Sequence, residues 1–154
     1  MNKLLMKIVI LCAVSVIPVN AASVSILVIE TGLANSSPDS IKSIMWENGL
    51  MDVLFESGHI VTNATLIRLP NMPSEGFPSV AESDLIDAKE GGMGFFVVAI
   101  ISHPFPHDVI LRLFNTETRQ MLFEHTYTDR TYNTERMEYE GIKENIRTFV
   151  ARIR

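Results

Sequence analysis

The chain has 154 residues, with 13 basic and 18 acidic side chains and a formal net charge of −5. That balance argues against nucleic acid and anionic lipid as partners, because affinity for both comes from neutralising their charge. The length suits one domain with a real core, and a lone cysteine excludes an internal disulfide or a cysteine-built metal site.

The first residues read as an export signal. Lys3 and Lys7 precede an apolar run from Ile8 to Ile17, broken by Pro18 and followed by Val19, Asn20, Ala21, Ala22 and Ser23. A basic start, a short apolar stretch and a small-residue exit define a secretory signal peptide. The run is too short for a membrane span, which needs about 20 apolar residues. Cys12 makes a poor lipidation site, with Leu11 before it in mid-run. Residues 1–21 are therefore expected to be a cleavable signal, cut after Ala21 or after Ala22. Residues 22–154 are expected to form a single domain, periplasmic or secreted. Cleavage would take away Cys12, Lys3 and Lys7 and leave an acidic domain without thiol chemistry.

Ser23 to Ile29 alternates and then becomes continuously apolar and β-branched, which predicts a strand buried on both faces. Glu30-Thr31-Gly32 marks a turn. Ser37, Pro38 and Asp39 form a helix start: N-cap, first-turn proline and an acid at the positive end of the dipole. Ile41, Ile44, Met45, Met51, Leu54 and Phe55 follow with helical spacing as its apolar side, and Gly58 suits a left-handed C-cap. Gly49 inside this helix points to close packing against the sheet or the neighbours of Trp46. His59 to Leu69 reads as strand with a soft spot at Asn63-Ala64. Beyond a proline-rich loop, Ser79 and Glu82 predict a capping box for a second helix with Leu85, Ile86 and Ala88 on its apolar face. Gly91-Gly92 ends it.

Gly94 to Ser102 holds the most apolar run of the domain and predicts a central strand. Asp108 to Phe114 alternates, with Val109, Leu111 and Leu113 against Ile110, Arg112 and Phe114. Asn115 to Arg119 predicts a hairpin turn, and Gln120 to Thr128 alternates again, with Met121, Phe123, His125 and Tyr127 on one face. Asn133 to Ile153 reads as a charged helix with Met137, Ile142, Ile146, Phe149, Val150 and Ile153 on its apolar side. The order predicts an α/β fold: a mixed five-stranded sheet, parallel β-α-β-α-β followed by an antiparallel hairpin, with three helices.

This order resembles a group of bacterial envelope domains: the N-terminal domain of TolB, the curli secretion lipoprotein and the lipoprotein activators of penicillin-binding proteins. The residues that carry the resemblance are the opening strand Val24 to Ile29, the turn Glu56 to Val61 and the hairpin Leu111 to Leu122. The hairpin is similar to the strand, Asp-x-x-Thr-Gly, strand pattern of those domains, with Asn115 in place of the aspartate and Arg119 in place of the glycine. The resemblance implies a non-catalytic domain that binds another envelope protein. It assigns no catalytic residue.

The residues themselves offer little chemistry. No Gly-x-Ser-x-Gly is present, and the glycines 91, 92 and 94 precede a strand, whereas a phosphate loop must precede a helix. His103 and His107 flank Pro104-Phe105-Pro106 without an evident third ligand, and the histidines are expected to be exposed loop residues. Met45, Met51, Met121 and Met137 fall at core-like spacings, where methionine fills gaps. No metal and no cofactor is expected. Ligands favour the crevice beyond the carboxyl ends of parallel strands, where Glu30 and His103 would meet, joined by Trp46, Glu47 and Asp52. These five are the candidate binding residues. The sequence thus predicts an exported, non-catalytic domain with an envelope protein as partner, no nucleic acid and no membrane span. The alternative is a small-molecule or metal-binding protein that uses that crevice.

Overall fold

A computed structural model of the chain describes residues 21–32, 41–73, 77–103, 108–128 and 130–153. The expected signal segment before Ala21, the helix start at Ser37, Pro38 and Asp39, and His107 lie outside the described residues.

Two apolar strands form the centre. β1 (Ser23–Thr31) and β4 (Phe95–Ser102) pair parallel from Val24–Phe95 to Thr31–Ser102. Such a pair cannot be joined by a tight turn, so the intervening chain must cross over the sheet. On its other side β1 pairs parallel with β2 (Ile60–Asn63) and then with β3 (Ile67–Leu69). β5 (Asp108–Asn115) runs antiparallel to β4, and β6 (Met121–Thr128) antiparallel to β5. The strand order is β2-β1-β4-β5-β6, with β3 beside β1.

Side chains alternate across this sheet. Val24, Ile26 and Val28 face α1 (Ile41–Glu56) and α3 (Glu135–Val150), whereas Leu27 and Ile29 face α2 (Glu82–Glu90). The result is three layers, with two helices on one face and one on the other. The α/β class, the parallel-then-antiparallel order and the three helices agree with the sequence. The strand count does not, because the sheet has six strands. The segment expected as one strand divides at Asn63-Ala64 into β2 and β3, which pair with successive parts of β1.

Local differences have physical causes. The capping box at Ser79 does not form: Ser79–Ala81 is a 3₁₀ turn, Ala81 occupies the N-cap of α2, and Glu82 turns to Arg119 in the hairpin loop. Ile86 is exposed. In the hairpin, Asn115 Oδ1 accepts from the Thr118 amide at 2.8 Å, so the asparagine closes the turn as an aspartate would. Arg119 takes a φ of 59°, the left-handed conformation that glycine provides in the related pattern. A register shift beside Leu113 pairs Phe114 with Met121 and Leu113 with Phe123, so Met121 leaves the face it was expected to share with Phe123. Met121 and Met137 are exposed rather than core, while Met45 and Met51 pack against the core.

α1 and α3 pack closely. A Cβ on Gly49 would lie 3.0 Å from Ile146 Cδ1 and 3.1 Å from Ile142 Cγ2, so this glycine serves the contact with α3, not with the sheet. Lys42 pairs with Glu138, and Lys143 lies 2.6 Å from Glu56, so ion pairs with buried lysines and more exposed carboxylates flank the apolar contact. The Glu56 carboxylate that accepts its hydrogen bond holds Lys143 above the usual lysine range.

His59 is buried, contrary to the expectation of an exposed histidine. Its Nδ1 accepts from the Ala22 amide at 3.1 Å, while the Ile60 amide donates to the Ala22 carbonyl at 2.9 Å. Burial holds the His59 imidazole below the usual histidine range. Below about pH 6.5 the unfolded chain therefore binds a proton that the folded chain resists, and stability falls as pH drops through that window. Urea unfolding at pH 7.5 and 5.5 is expected to show a smaller loss on acidification for His59→Gln than for the parent. Equal losses would show that His59 is not a source of acid sensitivity.

Candidate functional site

The carboxyl ends of the parallel strands converge on one carboxylate. Glu30, the next-to-last residue of β1, is 0% exposed. Parallel register places Arg68 of β3 beside it on one side and Ile101 of β4 on the other. Arg68 Nε donates to Glu30 Oε2 at 3.1 Å, Ser43 in the first turn of α1 donates to Oε1, and His103 Nε2 stands 3.8 Å from Oε1. Gly32 allows this closeness. Its φ is +79°, and a Cβ there would collide with the His103 carbonyl. The His103 amide donates to the Thr31 carbonyl at 2.9 Å and carries the β1–β4 ladder past the strand ends.

Of the expected set, the structure brings Glu30 and His103 together. It does not bring the other three to them. Trp46 is a core residue, with its ring 5.8 Å from that of Tyr127 and no hydrogen-bond partner for Nε1 among the described residues. Glu47 is on the flank of α1, where Asn63 Nδ2 donates to it at 2.7 Å. Asp52 belongs to the α1–α3 seam, accepting from the Tyr139 hydroxyl at 2.7 Å with Lys143 at 3.6 Å. Burial, helped by the Asp52 hydrogen bond, pushes the Tyr139 hydroxyl up to about 12. Ser43 and Arg68 were not anticipated. The signal for Arg68 was its place in an apolar strand reading: a carboxylate buried beside a parallel strand needs a cation, because an uncompensated buried charge costs several kcal/mol.

A second feature is apolar. Helical geometry puts Ile41, Ile44 and Phe55 on one face of α1, about opposite the face that enters the core. The core takes Trp46, Leu50, Val53 and Leu54 instead. Ile41 is 63%, Ile44 44% and Phe55 77% exposed, so these three are not the core residues their spacing suggested. Ile60, at the start of the neighbouring β2, is exposed as well. α1 is thus apolar on two faces and packed on one, a pattern that in a helix ordinarily accompanies burial all round. Among the described residues, no helix is long and apolar enough to cross a membrane.

No protein-family model matches the sequence, and no curated protein sequence does. Solved structures match its fold. PelC from Paraburkholderia phytofirmans, a dodecamer, is 12% identical, with 86% of each chain covered and a TM-score of 0.52. TolB from Acinetobacter baumannii is 13% identical over 85% of this chain and 28% of that one, with a TM-score of 0.45. The LpoB C-terminal domain from Salmonella enterica is 11% identical, covering 82% of this chain and 96% of that one, with a TM-score of 0.46. These are likenesses of fold, and TolB is a protein to which the sequence already pointed.

The Glu30 cluster predicts a stability effect. Glu30→Ala leaves Arg68 and His103 without their carboxylate and should cost about 2–3 kcal/mol, less than a fully buried pair because Arg68 keeps part of its hydration. Urea unfolding followed by the emission of Trp46, the only tryptophan, measures it. A loss within about 0.5 kcal/mol, as for a surface substitution, would contradict the cluster.

Proposed function

We propose that this protein is an exported, non-catalytic domain of a bacterial cell envelope that binds a protein partner through the outer face of α1. The observation that carries the reading is the exposure of Ile41, Ile44 and Phe55 along one helix face, with exposed Ile60 on the adjoining strand. Several large apolar side chains exposed on one face of a folded domain mark an interaction site, because hydrating them is unfavourable and a partner removes that cost. The face is mixed, with polar Asn48 and Asp52 between Ile44 and Phe55, and a mixed apolar and polar surface is usual for an interface that forms and dissociates. PelC, whose fold this chain shares, is a dodecamer, which supports the view that the fold accommodates assembly between protein surfaces. Export rests on the signal pattern of residues 1–21, and N-terminal sequencing of the protein recovered from the envelope tests it. A start at Ala22 or Ser23 agrees with export, and a retained Met1 does not.

The binding face is tested with a photo-crosslinking side chain in intact cells. Placed at Phe55 on α1, it is expected to give a discrete protein adduct, whether to another protein or to a second copy. Placed at Ile86 on the opposite layer, it is expected to give none. Equal labelling from both positions, or an adduct only to lipid, would overturn the proposal. Phe55→Asp should remove the adduct formed from Ile44 while changing stability by less than about 0.5 kcal/mol, since Phe55 is 77% exposed.

A further inference from the structure

The other face of the sheet carries a cleft that the Glu30 cluster and the outer face of α1 do not use. It lies between α2 and the β1–β2 edge, has a volume of about 350 Å³, and is lined by Ser25, Thr62, Ala64, Asp84, Asp87 and Met93 among others. That size is at the lower end of small-ligand clefts, about 300–1,000 Å³.

Three observations define its chemistry. First, β1 is apolar wherever it faces α2 at Leu27 and Ile29, but the preceding residue on that face is Ser25. Ser25 is only 5% exposed, and its hydroxyl lines the cleft without a hydrogen-bond partner among the described residues. Its one open side is the cleft, so whatever occupies the cleft supplies its hydrogen-bond partner. Second, Ser25 is in direct register with Thr62 of β2, so both hydroxyls project to the same face of the sheet. Third, Asp84 and Asp87, one helical turn apart on α2, have no cationic partner among the described residues. The nearby cations are engaged elsewhere: Lys89 with Glu117 at 3.1 Å and Arg119 with Glu82. Asp84 is at the positive end of the helix, where an acid is favoured in any case, but Asp87 is past the first turn. Burial, with a contribution from Asp87, pushes the Asp84 carboxyl above its ordinary range, as an uncompensated pair would.

We propose that this cleft binds an organic cation, an ammonium or guanidinium head on a short aliphatic body, with Asp84 and Asp87 accepting from the head and Ser25 and Thr62 completing its hydrogen bonds. Ala64, Ala88 and Met93 supply the apolar wall that the aliphatic part requires and that a bare metal ion does not. The head can belong to a free amine or to a lysine or arginine side chain of another protein. The site does not depend on the function proposed for α1, because the two occupy opposite faces of the sheet.

The test is an amide-resolved NMR titration of the protein with cadaverine, with the blocked amino acid N-acetyl-lysine methylamide, and with butyrate as an anionic control of similar body. Both amines are expected to give saturable shifts confined to residues around Ser25, Thr62, Asp84 and Met93, and butyrate none. Tighter binding of cadaverine assigns the site to a free amine, and tighter binding of the blocked lysine assigns it to a side chain. The Asp84→Asn/Asp87→Asn variant should weaken amine binding by about tenfold or more, the effect expected when charge-assisted hydrogen bonds are lost. Ser25→Ala should weaken it less, and the spectra of both variants report whether the fold is kept. Shifts spread over the whole acidic surface would overturn the proposal. So would unchanged affinity in the double variant, or calcium chloride producing the same local shifts at lower concentration than either amine.

Discussion

The structure depends on the pairing of β1 with β4, two strands buried on both faces. Val24, Ile26, Leu27, Val28 and Ile29 have lost essentially all contact with water, as have the residues from Phe96 to Ile101. Each large aliphatic side chain among them contributes about 1.5–3 kcal/mol of burial. Two-sided burial dictates the layers: helices must cover each face, and parallel pairing requires crossovers long enough to supply them. Polar residues on such a strand are therefore informative. β1 has few, and two of them are Ser25, which opens onto the α2 cleft, and Glu30, which gathers Arg68, Ser43 and His103 at the strand ends. The chemistry of the domain lies where this strand departs from apolarity.

The two polar departures differ in kind. Glu30 is saturated: both its oxygens are engaged by groups from three other elements, so it fastens α1, β3 and the end of β4 to β1. The Ser25 region holds two carboxylates, Asp84 and Asp87, with no cationic partner among the described residues. Between them, the outer face of α1 adds an apolar surface whose hydration the isolated domain tolerates. A fold-level likeness to PelC does not by itself define what binds there, since one fold serves many functions.

Much of this architecture was legible in the sequence. Continuous β-branched runs marked β1 and β4, alternation marked β5 and the later part of β6, and the spacing of Ile142, Ile146, Phe149 and Val150 marked the buried side of α3. Glu30 and His103 were placed at one crevice because parallel strands end together. What failed was the orientation of α1. Its residues at Ile41, Ile44 and Phe55 have the same spacing as Trp46, Leu50, Val53 and Leu54, and periodicity cannot rank two apolar faces of one helix. The division of β2 from β3, the register shift at Met121 and the ion partners Ser43 and Arg68 depend on pairing between distant segments, which local pattern does not encode. Ser79 lost its cap to a 3₁₀ turn for a related reason: Glu82 found Arg119 across the fold.

The central claim is that the second apolar face of α1 is covered by protein where the molecule works. Hydroxyl-radical footprinting of the protein in intact cells and after purification tests it directly, with oxidation of Phe55 read against exposed Met137 on α3. The account predicts that Phe55 is protected in cells and becomes reactive on purification while Met137 stays equally reactive in both. Equal oxidation of Phe55 in the two states would contradict it.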